Sequence, residues 1–166
     1  MGERLTEGDV KKIKDEIEHR TLVVRKEALE AVKEARAQGD LSENFEYYAA
    51  KRDKNKNESR IRYLERMLKN ATVISDESKE GVVGLNKQVE IYMEDDDETE
   101  VVKLVTSIRA DSLKKKISIE SPLGKAINGH KVGDRCHVQV NERIGYDVII
   151  RSVTDGDDAD DQISPY

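Results

Sequence analysis

Between residues 7 and 70 the chain has no proline, and its apolar residues recur at steps of three and four with one break, at Gly39-Asp40. In the first segment Ile13, Ile17, Val24 and Ala31 share a stripe with Thr21, Ala28 and Ala35. That spacing predicts an amphipathic helix over residues 7 to 38, thinning to alanines at its far end. Gly39 supplies a stop. In the second segment Tyr47, Ala50, Lys54, Asn57, Ile61, Leu64, Leu68 and Ala71 alternate by three and four, a heptad seam over residues 43 to 70. Two long helices joined by a few residues must run antiparallel, which predicts a helical hairpin about 45 Å long. A continuous coiled-coil dimer is disfavoured by the break at Gly39 and Asp40.

Composition fits such a build. Charged residues make up 39% of the 166 and aromatics 4%, with one Phe and no Trp, so aliphatic packing must supply the core. The single cysteine, Cys136, allows no internal disulfide and reads as a small core residue. No apolar run approaches the roughly 18 residues needed to span a bilayer, which predicts a cytoplasmic chain with no membrane partner. The net charge is −6, unevenly spread: residues 1–75 hold 17 Lys/Arg against 15 Asp/Glu, and residues 76–166 hold 12 against 20. A coat for nucleic acid wants a broad basic face, so any contact with nucleic acid is expected to be local.

After residue 75 the period changes. Residues 88–93, 101–106, 117–119, 135–140 and 146–153 are short, rich in Val and Ile and separated by polar turns, which predicts an antiparallel sheet. Within SPLGKAINGHKVGD, Ser121 reads as an N-cap, Pro122 as the first helical residue, Gly129 as the stop and Gly133-Asp134 as a turn. One short helix is therefore expected on the sheet. The domains expected are residues 1–75, a hairpin, and 76–166, a sheet domain ending in an acidic tail. That tail, DGDDADDQISPY, and the run EDDDETE at 94–100 read as solvated loops. His19, His130 and His137 lack the spacing of a zinc site and read as structural or surface groups.

The hairpin connection reads GDLSENFEY from Gly39 to Tyr47. Asp40, with Glu43 three residues on, has the spacing of a capping box for the second helix. The segments EARAQGDLSENFEYYAAKRD and ISIESPLGKAINGHKVGD together resemble the bacterial GreA/GreB transcript-cleavage factors, closest to the GreA branch, over nearly the whole chain. The resemblance implies an α+β protein with an N-terminal antiparallel coiled coil and a C-terminal FKBP-like domain. It implies a monomer that is not itself an enzyme. Its globular domain would dock at the rim of the RNA polymerase secondary channel while the coiled coil enters, bringing the acidic tip beside the polymerase's active-site Mg²⁺. There the factor would stimulate cleavage of the 3′ end of backtracked RNA.

Carried over by position, Asp40 and Glu43 would share that Mg²⁺ and assist catalysis, with Ser42 and Asn44 in support. Two carboxylates on an exposed turn leave most of an octahedral shell to other ligands, so the chain needs no metal or cofactor of its own. Lys51, Arg52, Lys54 and Lys56 form a local basic strip expected to contact RNA phosphates, and Glu58 is placed to pair with Arg62 along the helix. Ser121 and Pro122 are expected to hold the polymerase. The chain departs from the family pattern at Phe45, where a small residue is usual, and at Tyr48, where His is frequent. Two other functions suit the same build: a regulator that occupies the channel and inhibits, and a peptidyl-prolyl isomerase, for which residues 76–153 offer only Tyr92 and Tyr146 as a ring cradle.

Overall fold

The computed structural model describes residues 2–39 and 44–165. Its elements, in chain order, are β1 (Arg4–Leu5), α1 (Glu7–His19), a π-helical turn (Arg20–Val24), α2 (Arg25–Ala37), α3 (Phe45–Asn70), β2 (Thr72–Val73), β3 (Gln88–Met93), β4 (Glu98–Val105), β5 (Lys116–Ser118), α4 (Pro122–Ile127), β6 (Arg135–Gln139) and β7 (Gly145–Thr154). They form two compact units. The first takes in Asp9–Ala71, the second Thr72–Tyr166 together with Glu3–Gly8. The N-terminal strand β1 belongs to the sheet unit because it pairs in parallel with β2, Arg4 opposite Thr72 and Leu5 opposite Val73.

The first unit is a helical hairpin. From α3 it buries Asn57, Ile61 and Leu64, as the heptad spacing predicts, and adds Arg60 and Met67. From α1 and α2 it buries Ile13 and Ala35, but Ala31, expected on the stripe, is exposed and Val32 turns inward instead. The π-helical turn explains the shift. Its wider turn absorbs one extra residue and resets the phase of α2, which brings Val32 inward while Ala28 and Ala35 keep their places on the stripe.

A layer of charge crosses the hairpin at this turn. Asn57 donates Nδ2 to the Arg20 carbonyl at 3.2 Å and accepts from Arg20 Nη1 at 3.1 Å. The Glu16 carboxylate receives Arg20 Nε at 2.6 Å and Arg60 Nε at 2.9 Å. Burial pushes the Glu16 carboxyl up, but the bonds from Arg60 and Arg20 outweigh it and leave its pKa lowered. Arg25 closes the next layer with a bidentate pair to Glu58, at 2.9 and 3.0 Å. Polar layers of this kind fix the register of a coiled coil, because any slip strands charge against apolar side chains.

The second unit is a five-stranded sheet in the order β5-β4-β3-β7-β6. It is antiparallel except at one edge, where β5 runs parallel to β4. The exception follows from the connection: two short 3₁₀ turns, Ser107–Arg109 and Ser112–Lys114, carry the chain back before Lys115, at φ 57°, starts β5. The core lies between the sheet and α4, with Val89, Ile91, Leu104, Ile127, Val138 and Ile150 fully buried and Cys136 among them. Burial raises the pKa of the Cys136 thiol, consistent with a packing role.

Candidate functional site

The connection between α2 and α3 spans residues 38–44, and Asp40, Ser42 and Glu43 lie outside the described residues. The described ends show how it is held. Helix α3 begins at Phe45 and its N-cap is Asn44, whose Oδ1 accepts from Tyr47 N at 3.0 Å. The cap assigned to Asp40 therefore belongs to Asn44, because the helix starts two residues later than the spacing predicts. The same side chain donates Nδ2 at 2.5 Å to the Ala35 carbonyl, which also accepts from Gln38 N at 3.2 Å at the end of α2. One asparagine thus ties both helix ends together. Gly39 follows at φ 135°, a conformation that favours glycine.

Along the first turns of α3, Tyr47 faces α2, where the Arg36 guanidinium lies 5.6 Å from its ring centre. Tyr48 meets the Tyr47 ring edge-on at 5.6 Å. Phe45 is 84% exposed. The expected basic strip is present, with Lys51, Arg52 and Lys56 exposed and Lys54 half-buried toward the partner helix. Glu58 is engaged by Arg25 across the hairpin rather than by Arg62, which instead donates to Ser59 Oγ at 3.1 Å.

In the sheet unit Ser121 caps α4 as expected: its Oγ accepts from Gly124 N at 3.0 Å and donates to the Ser118 carbonyl at 2.6 Å. Pro122 stands exposed at the first helical position. Gly124 is required there, since a Cβ would come within 2.0 Å of the Ser118 carbonyl oxygen. His130 leans on Asp134 at 3.1 Å and His137 on Asp147 at 2.8 Å. Among the described residues no group of three or more His, Cys, Asp or Glu side chains is placed to hold a metal ion.

The acidic tail departs from the solvated coil expected of it. Asp161 is buried and receives Arg109 at 2.6 Å, Lys116 at 2.7 Å and Lys103 at 2.9 Å. Burial pushes its carboxyl up, yet the hydrogen bonds from Lys116, Lys103 and Arg109 outweigh that and hold its pKa at about 2. Ser164 N donates to the Ile108 carbonyl at 2.6 Å and fastens the end of the tail. Charge density hid this clip in the sequence.

A helical hairpin and a curled mixed sheet bearing one short helix, on one chain, define a two-unit coiled-coil protein. Residues 3–73 match the family model described as transcription elongation factor, N-terminal, and residues 77–155 match transcription elongation factor, GreA/GreB, C-term. Transcription elongation factor GreA of Thermoanaerobacter pseudethanolicus is 46% identical over 137 residues, 82% of this chain and 87% of the relative. GreA of Geobacillus kaustophilus is 43% identical over 136 residues, 81% and 86% of the two chains. The solved structure of the transcription factor Gfh1, 28% identical, covers 92% of this chain and 97% of its own at a TM-score of 0.46. On the sequence matches, the chain belongs to the GreA/GreB transcription elongation factor family. The C-terminal match ends at residue 155, so the clip formed by Asp161 lies beyond it.

Proposed function

We propose that the chain is a transcription elongation factor that binds RNA polymerase, places its hairpin in the secondary channel and stimulates the polymerase to cleave backtracked RNA. Support comes from the 46% identity to a protein named transcription elongation factor GreA, together with the acidic GDLSEN connection between α2 and α3. Capping does not account for that acidity, since Asn44 caps α3. Asp40 and Glu43, with the Ser42 hydroxyl between them, form the hard-oxygen donor set that suits Mg²⁺ shared with waters and phosphate oxygens. When bound, the ion supplies the positive charge that activates water and stabilises a leaving oxygen. The bond-breaking centre belongs to the polymerase, and this chain's part is to bring two carboxylates to it.

Other residues divide the remaining work. Asn44 fixes the helix ends that carry the acidic residues. Lys51, Arg52, Lys54 and Lys56 offer charge to RNA phosphates. Pro122, a rigid exposed knob beside the capping Ser121, is the docking contact for polymerase.

The test is a purified, backtracked elongation complex with labelled RNA. Added protein should accelerate the appearance of shortened RNA that can be extended again. Slower elongation with no shortening would make the chain a channel-blocking inhibitor and overturn the cleavage reading.

A further inference from the structure

On its solvent face α3 carries Phe45, Tyr48, Arg52 and Lys56 at steps of three, four and four, so all four lie on one stripe. The stripe is turned away from the seam of Asn57, Ile61 and Leu64. Phe45 is the only phenylalanine in the chain, and it stands 84% exposed while Tyr48 is 48% exposed. Neither ring serves the core, and a phenylalanine at the first position of a helix adds little to helix formation. The Tyr48 ring is nevertheless positioned: Tyr47 is held to α2 by Arg36 and in turn braces Tyr48. Among the described residues no ion pair joins a carboxylate to Arg52 or Lys56, although Asp53 stands one turn before Lys56 on the flank of the stripe.

We infer that Phe45 and Tyr48 are a stacking platform for unpaired nucleobases, extended by Arg52 and Lys56 as contacts to the phosphates that follow. Exposed rings followed by free cations are the combination that holds single-stranded nucleic acid, because every base has a face to stack and every linkage a charge to neutralise. From residue 45 to residue 56 the stripe runs about 16 Å, enough for a few nucleotides. An apolar protein surface seated on the rings would make no use of the two cations that continue the stripe. The inference rests on the proposed function for its ligand, the extruded 3′ segment of RNA.

Backtracked complexes carrying 2-aminopurine as the extruded 3′ base provide the test, since stacking on a ring quenches that base whether or not the RNA is cut. Full-length protein should quench it, Phe45→Tyr should retain the quench and Phe45→Leu should lose it, with polymerase affinity within about twofold throughout. Where cleavage occurs, Phe45→Leu and Tyr48→Leu should each slow it about tenfold on ordinary RNA, in line with the contribution of one base stack. On RNA with an abasic 3′ residue the parent should fall to the level of Phe45→Leu, and the substitution should then cost nothing more. Equal losses on both RNAs, no change in quenching, or a concentration-dependent dimer abolished by Phe45→Leu would each overturn the platform. A parent that quenches but does not cut would sink the cleavage function while leaving the platform standing.

Discussion

At the scale of single residues, the location of the α3 cap makes the acidic connection testable. Asp40→Asn and Glu43→Gln keep size and hydrogen-bonding capacity, and Asn44 continues to cap the helix. If Asp40 and Glu43 share a metal ion in the polymerase, each substitution should lower RNA cleavage by orders of magnitude, with partial recovery at raised Mg²⁺. Melting temperature and polymerase affinity should not change. Asn44→Ala should behave differently, losing about 1 kcal/mol of hairpin stability together with the tie to Ala35. Asp161 offers a second handle. Its folded pKa of about 2 lies below the ordinary 3.8, so the carboxylate stabilises the fold fully above pH 3.8 and progressively less as pH falls toward 2. The difference corresponds to about 2 kcal/mol. Urea titrations of parent and Asp161→Asn should therefore differ clearly at pH 7 and converge near pH 2.

At the scale of elements, much was legible because period and punctuation agree. The heptad steps of α3, the Gly39 stop, the Ser121-Pro122 start of α4 and five short Val- and Ile-rich strands each express a local rule that packing then satisfies. Three features were not legible. At the π-helical turn Asn57, 37 residues away, donates to the Arg20 carbonyl, and no local pattern announces that contact. The cap moved to Asn44 because several residues of the connection were eligible and the choice is made by the geometry across to Ala35. Strand β5 pairs in parallel because of its connection rather than its composition. The π-helical turn carries its own prediction. A wide turn holds one residue more than an α-helical turn over the same rotation, so deleting exposed Leu22 should leave both flanks in phase and cost less than about 1 kcal/mol by thermal melting. Deleting Ala28 should rotate everything beyond it by about 100° and melt the far half of the hairpin.

At the scale of the whole molecule, the two units offer separable tasks, which double variants can assess. Pro122→Asp should weaken polymerase binding at least tenfold in a competition assay without lowering the melting temperature of the sheet unit, since the side chain is exposed and Asp is acceptable in the first turn of a helix. Unchanged affinity would remove Pro122 from the docking surface. The Asp161 clip bears on how the molecule comes into being. Arg109 is made 52 residues before the carboxylate that neutralises it. While a ribosome is still adding those residues, the sheet unit would have to bury a guanidinium without its counter-charge. The hairpin can close without Asp161, but the sheet unit becomes fully stable only once Asp161 has been added and can reach Arg109. Nascent chains stopped before Asp161 should therefore remain protease-sensitive in the sheet unit, and chains extended through Ser164 should lose that sensitivity.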